Sequence, residues 1–464
     1  MTPVQGSAAE IAASVRSGAT SASDVLAAAK ARIESADGVI KAFTDLTLER
    51  AERQAQEIDA AIAVGRDPGP LAGVPFAVKN LFDIKGLPTR AGSKINRDRT
   101  PAIEDAVLIR RLTKAGAVLI GGLNMGEYAY DFTGENVHDG ICCNPRNTDH
   151  MSGGSSSGSG AAVAAGMVPL ALGSDTNGSI RVPSALCGIF GLKPTYGRLP
   201  RSGTFPFCDS LDHLGPLARS AQDLALSFDV MQGHDAHDVA CARKPSLETT
   251  KTLEAGANDL RIAVAGDYFT RGAKPEALEA VAKAASALSV TREVVIPEAA
   301  RGRAAAFVIT TSESSALHID RLRMRAADFD PDTRYRFLSG ALVPAAWYIK
   351  AQRFRRWYHD QVIALFKDVD IILAPATPCA APKIGEKLLT LGEETVPLRP
   401  NLGLFTQPIS CIGFPVVVAP IQREDDLPLG VQIIAAPWRE DLALRVAAEL
   451  QRLGVAAAPV ATGV

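Results

Sequence analysis

Between Gly153 and Arg198 the chain reads GGSSSGSGAAVAAGMVPLALGSDTNGSIRVPSALCGIFGLKPTYGR: two glycine- and serine-rich turns either side of a small apolar run. Turns of this composition usually belong to linkers with polar flanks. Here the flanks are apolar, so tight backbone and hydroxyl groups are being carried into a core. The pattern points to a buried nucleophile and the group that activates it.

Composition bounds the rest. The 464 residues are 47% hydrophobic, enough for a large core, and 22% charged, as in ordinary soluble proteins. A net charge of -2 offers no basic field for nucleic acid or an anionic membrane. The longest apolar stretch, Ala161 to Leu172, is too short to span a bilayer and is broken by Gly166 and Pro169. The N-terminus has no basic region followed by an apolar run, so no secretory signal is read there. Seven cysteines favour reduced thiols and a cytoplasmic location over a disulfide framework. Cys142-Cys143, with His138 and His150 nearby, lacks the usual zinc-ligand spacing, and no metal or cofactor is expected.

In chain order, residues 7–64 read as helical, with Ser21 and Asp24 placed as a helix cap and Gly65 as a stop. LAGVPFAVKNLFDIKG then reads as a buried strand holding Lys79. A lysine there must reach solvent, find a partner or lose its charge. A helix, DAVLIRRLTKAG, and a strand, AVLIGGLN, follow. The residues before the first serine turn, NPRNTDHM, carry no strand pattern. After Arg198, LPRSGTFPFCDSLDHLGPLARS reads as a loop, SAQDLALSFDVMQG as a helix and 234–258 as a polar excursion. LRIAVAGD, DIILAPATP, CIGFPVVVAP and LGVQIIAAP read as strands. PEALEAVAKAASAL, most of 300–367 and EDLALRVAAELQRLG read as helices. The alternation suggests an α/β layered fold, and no long linker divides it. One domain is therefore expected over 1–464, a helical segment at 1–65 followed by a core at 66–464.

Three mechanistic templates meet the first turn. A phosphate-binding loop fits Gly153-x₄-Gly158, but Ser159 occupies its lysine position. A nucleophile elbow fits Gly154-Ser155-Ser156-Ser157-Gly158, but needs a strand directly before it. The third uses both turns and the lysine. GGSS, SDTNGSIRVPSALCGIFGLKPT and the upstream LAGVPFAVKN, together with PATP at 375–378 and the late LPLGVQIIA, resemble the amidase signature family in order and spacing over nearly the whole chain. That resemblance implies a single α/β domain, a mixed central β-sheet covered by helices on both faces.

It also implies a Ser–cisSer–Lys triad. The nucleophile falls on Ser179, the bridging serine on Ser155 after a cis Gly154–Ser155 peptide, and the base on Lys79. A serine hydroxyl needs a base beside it, and lysine serves only when neutral. The backbone N–H groups of Thr176, Asn177, Gly178 and Ser179 are the implied oxyanion hole, with Ser156, Asp175 and Arg181 in support. Ser157 and Asn177 depart from the family pattern, which usually has glycine or alanine there.

The phrases LGSDTNGSIRVPSALCGIFGLKPT, HLGPLARS, RAAAFVIT and AQRFRRWY look most like the branch of that family acting on 1-carboxybiuret in s-triazine breakdown. The implied reaction releases ammonia and leaves 1,3-dicarboxyurea. The implied partner is a small helical subunit related to the amidotransferase C subunit. An anionic substrate needs a cation. Among Arg353, Arg355 and Arg356, Arg355 aligns with the arginine by which glutamine amidotransferases hold a carboxylate, and it is the expected anchor. A broad small-amide amidase and a glutamine-hydrolysing amidotransferase component stand as alternatives. Gly403 argues against glutamine, since the family places there the acid that holds its amino group. A non-catalytic scaffold would have lost one of Lys79, Ser155 and Ser179.

Overall fold

The computed structural model describes residues 3–424 and 426–463. Its frame is an eleven-stranded mixed sheet. In chain order the strands are β1 (Phe43–Leu46), β2 (Pro75–Lys79), β3 (Val118–Leu123), β4 (Leu170–Asp175), β5 (Phe190–Lys193), β6 (His213–Ala218), β7 (Ile262–Ala265), β8 (Glu293–Val294), β9 (Ile371–Pro375), β10 (Val416–Arg423) and β11 (Asp426–Ala435). Across the sheet they run β1-β3-β2-β4-β6-β5-β10-β11-β9-β7-β8. β2 is parallel to β3 and β4, while β4, β6, β5, β10 and β11 are antiparallel to one another in turn.

Alternating residues of β9 show how both faces are covered. Ile371 and Leu373 join the core beneath the closing helix Glu440–Arg452. Ile372 and Ala374 join a second core with Ala305 and Ile309 of the helix Ala299–Arg325 and Val362 of the helix Ala345–Leu365. A strand sandwiched this way must be apolar throughout, which is why DIILAP carries no alternation.

Three segments differ from the sequence reading. Within 7–64 the helices Ala8–Arg16, Ala22–Ile40 and Leu48–Ala63 are interrupted by β1, which pairs antiparallel with β3. This helical segment therefore contributes an edge of the sheet rather than standing apart from it. HLGPLA, read as part of a loop, is β6 in the middle of the sheet, its glycine and proline facing β4 and β5. The Cβ that Gly215 lacks would lie 2.0 Å from the carbonyl oxygen of Leu192, so the close approach of β5 selects glycine and hides the strand pattern. NTDHM also differs: Asn147–Met151 pairs with Cys143–Asn144 in a small hairpin outside the central sheet.

Candidate active site

Lys79 ends β2, whose five residues are all buried between two parallel neighbours. Its side chain is 0% exposed, so it cannot snorkel. Nζ donates to Ser155 Oγ at 2.6 Å and to Ser174 Oγ at 2.9 Å. Burial drives its pKa from 10.5 down to about 7, against the pull of the Asp212, Asp175 and Asp131 carboxylates. Two neutral hydroxyls and no adjoining carboxylate are what let the amine give up its proton near neutrality.

Ser155 follows a cis Gly154–Ser155 peptide at the mouth of the helix Ser157–Ala164. Ser156 ties the two serine turns together. Its N–H donates to the Ser179 carbonyl at 3.3 Å, and its hydroxyl reaches the Ser174 carbonyl at 3.2 Å. Ser157 does not crowd the turn, since its hydroxyl points away to the Asn124 carbonyl at 3.2 Å.

The second turn leaves the end of β4 and enters the helix Arg181–Cys187. Asp175 and Arg181 shape it from beneath, both fully buried. The Arg181 fork donates Nε and Nη2 to the Asp175 carboxylate at 2.9 Å each, and that carboxylate also accepts from the Ile180 N–H at 3.2 Å. Burial alone would raise the Asp175 carboxyl, but the Arg181 guanidinium holds it well below the usual carboxylate range. Arg181 continues to the Thr406 carbonyl at 3.0 Å and Gln432 Oε1 at 2.7 Å, which fastens the turn to β11. Gly178 sits at φ +140°, and a Cβ there would lie 2.2 Å from Thr406 Oγ1, so no other residue fits the bend. The N–H groups of Asn177, Gly178 and Ser179 have no acceptor among the described residues. Buried backbone donors left open in this way are rare outside binding sites. Thr176 is held by its hydroxyl to Asp212 at 2.6 Å.

Ser179 opens into a narrow cavity of about 10 Å³. Thr176 and Asn177 form one side with it, and Tyr130, Phe132, Phe207 and Phe307 make apolar walls. Asp131, Thr310, Arg336 and Gln407 supply polar groups. Asp131 is neutralised by an ion pair with Arg399.

Arg355, the expected anchor, does not line this cavity. Its Nε donates to the Cys411 carbonyl at 2.6 Å and its Nη2 to the Ser210 carbonyl at 2.7 Å, so the guanidinium is engaged in holding the helix Gln407–Ile412 to the loop at Ser210. Arg353 and Arg356 are exposed on the same helix. Gly403 packs against a cavity wall: a Cβ there would lie 2.5 Å from the Phe132 ring. Four residues near the site escape the sequence reading. Ser174 lies near the end of the apolar strand β4, and Asp212 and Asp131 sit among ordinary polar residues. Arg336 lies in PDTRYRFLSG, whose charges read as a solvated helix face. Among the described residues no cluster of histidine, cysteine and acidic side chains could hold a metal, and no helix is long and apolar enough to cross a membrane.

Comparison with known proteins bears on the family of the chain and on its fold. The sequence profile of the amidase family matches residues 24–444. The chain is 55% identical to AtzE, the 1-carboxybiuret hydrolase subunit of Pseudomonas sp. (strain ADP), over 96% of this chain and 98% of that one. It is 36% identical to the A subunit of the glutamyl-tRNA(Gln) amidotransferase of Chloroflexus aurantiacus (strain ATCC 29366 / DSM 635 / J-10-fl), over 95% of each. A solved structure of a vestigial protein complex, tied to the evolutionary origins of an s-triazine catabolic enzyme, superposes with a TM-score of 0.96 at 54% identity, over 97% of this chain and 99% of that one.

Proposed function

The chain belongs to the amidase family, and from that membership we propose that it hydrolyses a small carboxylated urea or biuret-type amide through an acyl-enzyme on Ser179. The observation that carries the reading is the buried Lys79 amine, its pKa brought to about 7 and its Nζ 2.6 Å from Ser155. Neutral Lys79 takes a proton from Ser155, which takes one from Ser179 as Ser179 Oγ attacks the amide carbon. The new oxyanion is met by the open N–H groups of Asn177, Gly178 and Ser179, with that of Thr176 at the edge of the turn. The proton returns through Ser155 to the departing nitrogen, which leaves as ammonia. Water then attacks the acyl carbon, gives its proton along the same route and frees the carboxylate and Ser179.

The substrate of best fit is 1-carboxybiuret, giving 1,3-dicarboxyurea and ammonia, because the 55% identical relative bears the name of that hydrolase. The same relatives support a partner subunit, and the small helical protein implied by the family resemblance is the candidate for it. One is named as a subunit, another belongs to an amidotransferase of several subunits, and the superposable structure is of a complex. All seven cysteines are free thiols, which suits a reducing cytoplasm. Ammonia release from a panel of 1-carboxybiuret, biuret, allophanate, glutamine and simple amides tests the substrate. Turnover of glutamine alone would reject it. The Ser179→Ala variant tests the nucleophile: it should fold normally and release no ammonia, and unchanged release would reject the acyl-enzyme.

A further inference from the structure

Resting on that reading of the reaction, we infer that Arg336 is the residue that selects an anionic substrate, with Asn177 Oδ1 as its counterpart for a ureido N–H. Arg336 lies on the helix Pro331–Gly340 and lines the same cavity as Ser179. Its guanidinium lies over the Tyr130 ring, 3.8 Å from the centroid, and its Nη1 donates to the Tyr130 carbonyl at 2.7 Å. These two contacts fix the plane of the group. Nε and Nη2 have no partner among the described residues, and Arg336 makes no ion pair there. The acids near it are committed elsewhere. Asp131, Glu135 and Asp332 all pair with Arg399, and Asp131 also accepts from Thr133 Oγ1 at 2.9 Å and the Gly134 N–H at 2.7 Å. A guanidinium with a free Nε–Nη2 edge is a fork for one carboxylate.

The second observation lies across the cavity. Asn177 Nδ2 donates to Thr310 Oγ1 at 2.8 Å, which leaves Oδ1 buried with no hydrogen-bond partner. A buried amide oxygen without a donor favours a ligand that supplies one. A cation and an open carbonyl acceptor facing one narrow space complement a molecule with a carboxylate at one end and an N–H beside the reacting carbonyl. An N-carboxylated urea has both. A simple aliphatic amide has no carboxylate, and its only N–H groups are on the leaving nitrogen. Asn177 stands where the family usually has a small residue, and here it supplies an acceptor to the substrate's N–H.

Matched substrate pairs that differ in a carboxylate test the assignment: 1-carboxybiuret against biuret, and succinamate against butyramide. In Arg336→Met, kcat/KM for the charged member should fall about 30-fold or more beyond any fall for its neutral partner. Arg336→Lys should recover part of that preference, since it restores charge without the fork. Turnover of the neutral member reports that the variant is folded. If it too is lost, the charged-over-neutral preference is read from Arg336→Lys instead. A variant that keeps the wild-type preference overturns the assignment, as does a wild-type enzyme with no preference in either pair. Failure of the biuret-type reading is a separate result: the wild-type enzyme would then act on succinamate but on neither biuret, and the Arg336 comparison would still be decided on the second pair.

Discussion

The pH dependence of turnover tests how the lysine is made into a base, and Asp212→Asn is the informative perturbation. The fall of the Lys79 pKa from 10.5 to about 7 is worth about 5 kcal/mol against the charged form. Burial supplies that and more, because Asp212, followed by Asp175 and Asp131, works in the opposite direction by favouring the ammonium. The base must be neutral, so kcat/KM should rise with pH, about tenfold per pH unit well below 7, and level off above. Removing the Asp212 charge removes the largest of the opposing charges. The midpoint should then move to lower pH, and at pH 6 the variant should keep about threefold more of its own plateau rate than wild type does. The plateau itself should drop, since Asp212 also holds Thr176 and accepts from the Phe207 and Cys208 N–H groups at 2.8 and 2.9 Å. The assay is ammonia release from neutral biuret between pH 5 and 9, so that the substrate's own charge stays constant. A wild-type limb centred near 10, or an Asp212→Asn midpoint that stays put or moves to higher pH, would refute the reasoning.

Other outcomes follow from the same structure. Lys79→Met should abolish ammonia release while leaving the fold more stable at low pH. Folded Lys79 binds its proton less readily than unfolded lysine, so wild type loses stability as pH falls from 10.5 to about 7, and the variant escapes that loss; pH-resolved thermal melts check the sign. Arg355→Ala should lower stability by about 1–3 kcal/mol through two carbonyls left without a donor, with KM for the charged substrates little changed; urea melts and kinetics read the two effects separately. Gly403→Asp should not confer glutaminase activity, because its Cβ meets the Phe132 ring at 2.5 Å; the cost should appear as a loss of about 1–3 kcal/mol in the same melts.

Much of the site is local enough to read from sequence. Lys79 closes an apolar strand, and the serines lie in turns whose glycines hold positive φ, such as Gly153 at +81° and Gly178 at +140°. What sequence hides is set by contacts between distant segments. Arg355 and Arg336 are both arginines on amphipathic helices. Only the positions of the Cys411 and Ser210 carbonyls show that the first is already engaged, and only the cavity and its contacts show that the second keeps one edge free. Ser174 becomes a partner of Lys79 because β4 lies beside β2, a pairing that brings together residues 95 apart. β6 is illegible in sequence because its glycine answers to the backbone of β5 rather than to any strand propensity.

The buried Arg181 has a consequence for when the protein can work during its own synthesis. It braces the second serine turn against Thr406, Ser410 and Gln432, which are 225 to 251 residues further along the chain. A ribosome releases the two serine turns and Lys79 long before it releases β11. Until then the guanidinium and its carboxylate lack the rest of their cage, and the turn that carries the open N–H groups is braced on one side only. Hydrolytic competence therefore arrives only with the last strand of the sheet, and a chain cut short before Gln432 would carry every reacting side chain and yet lack a formed site.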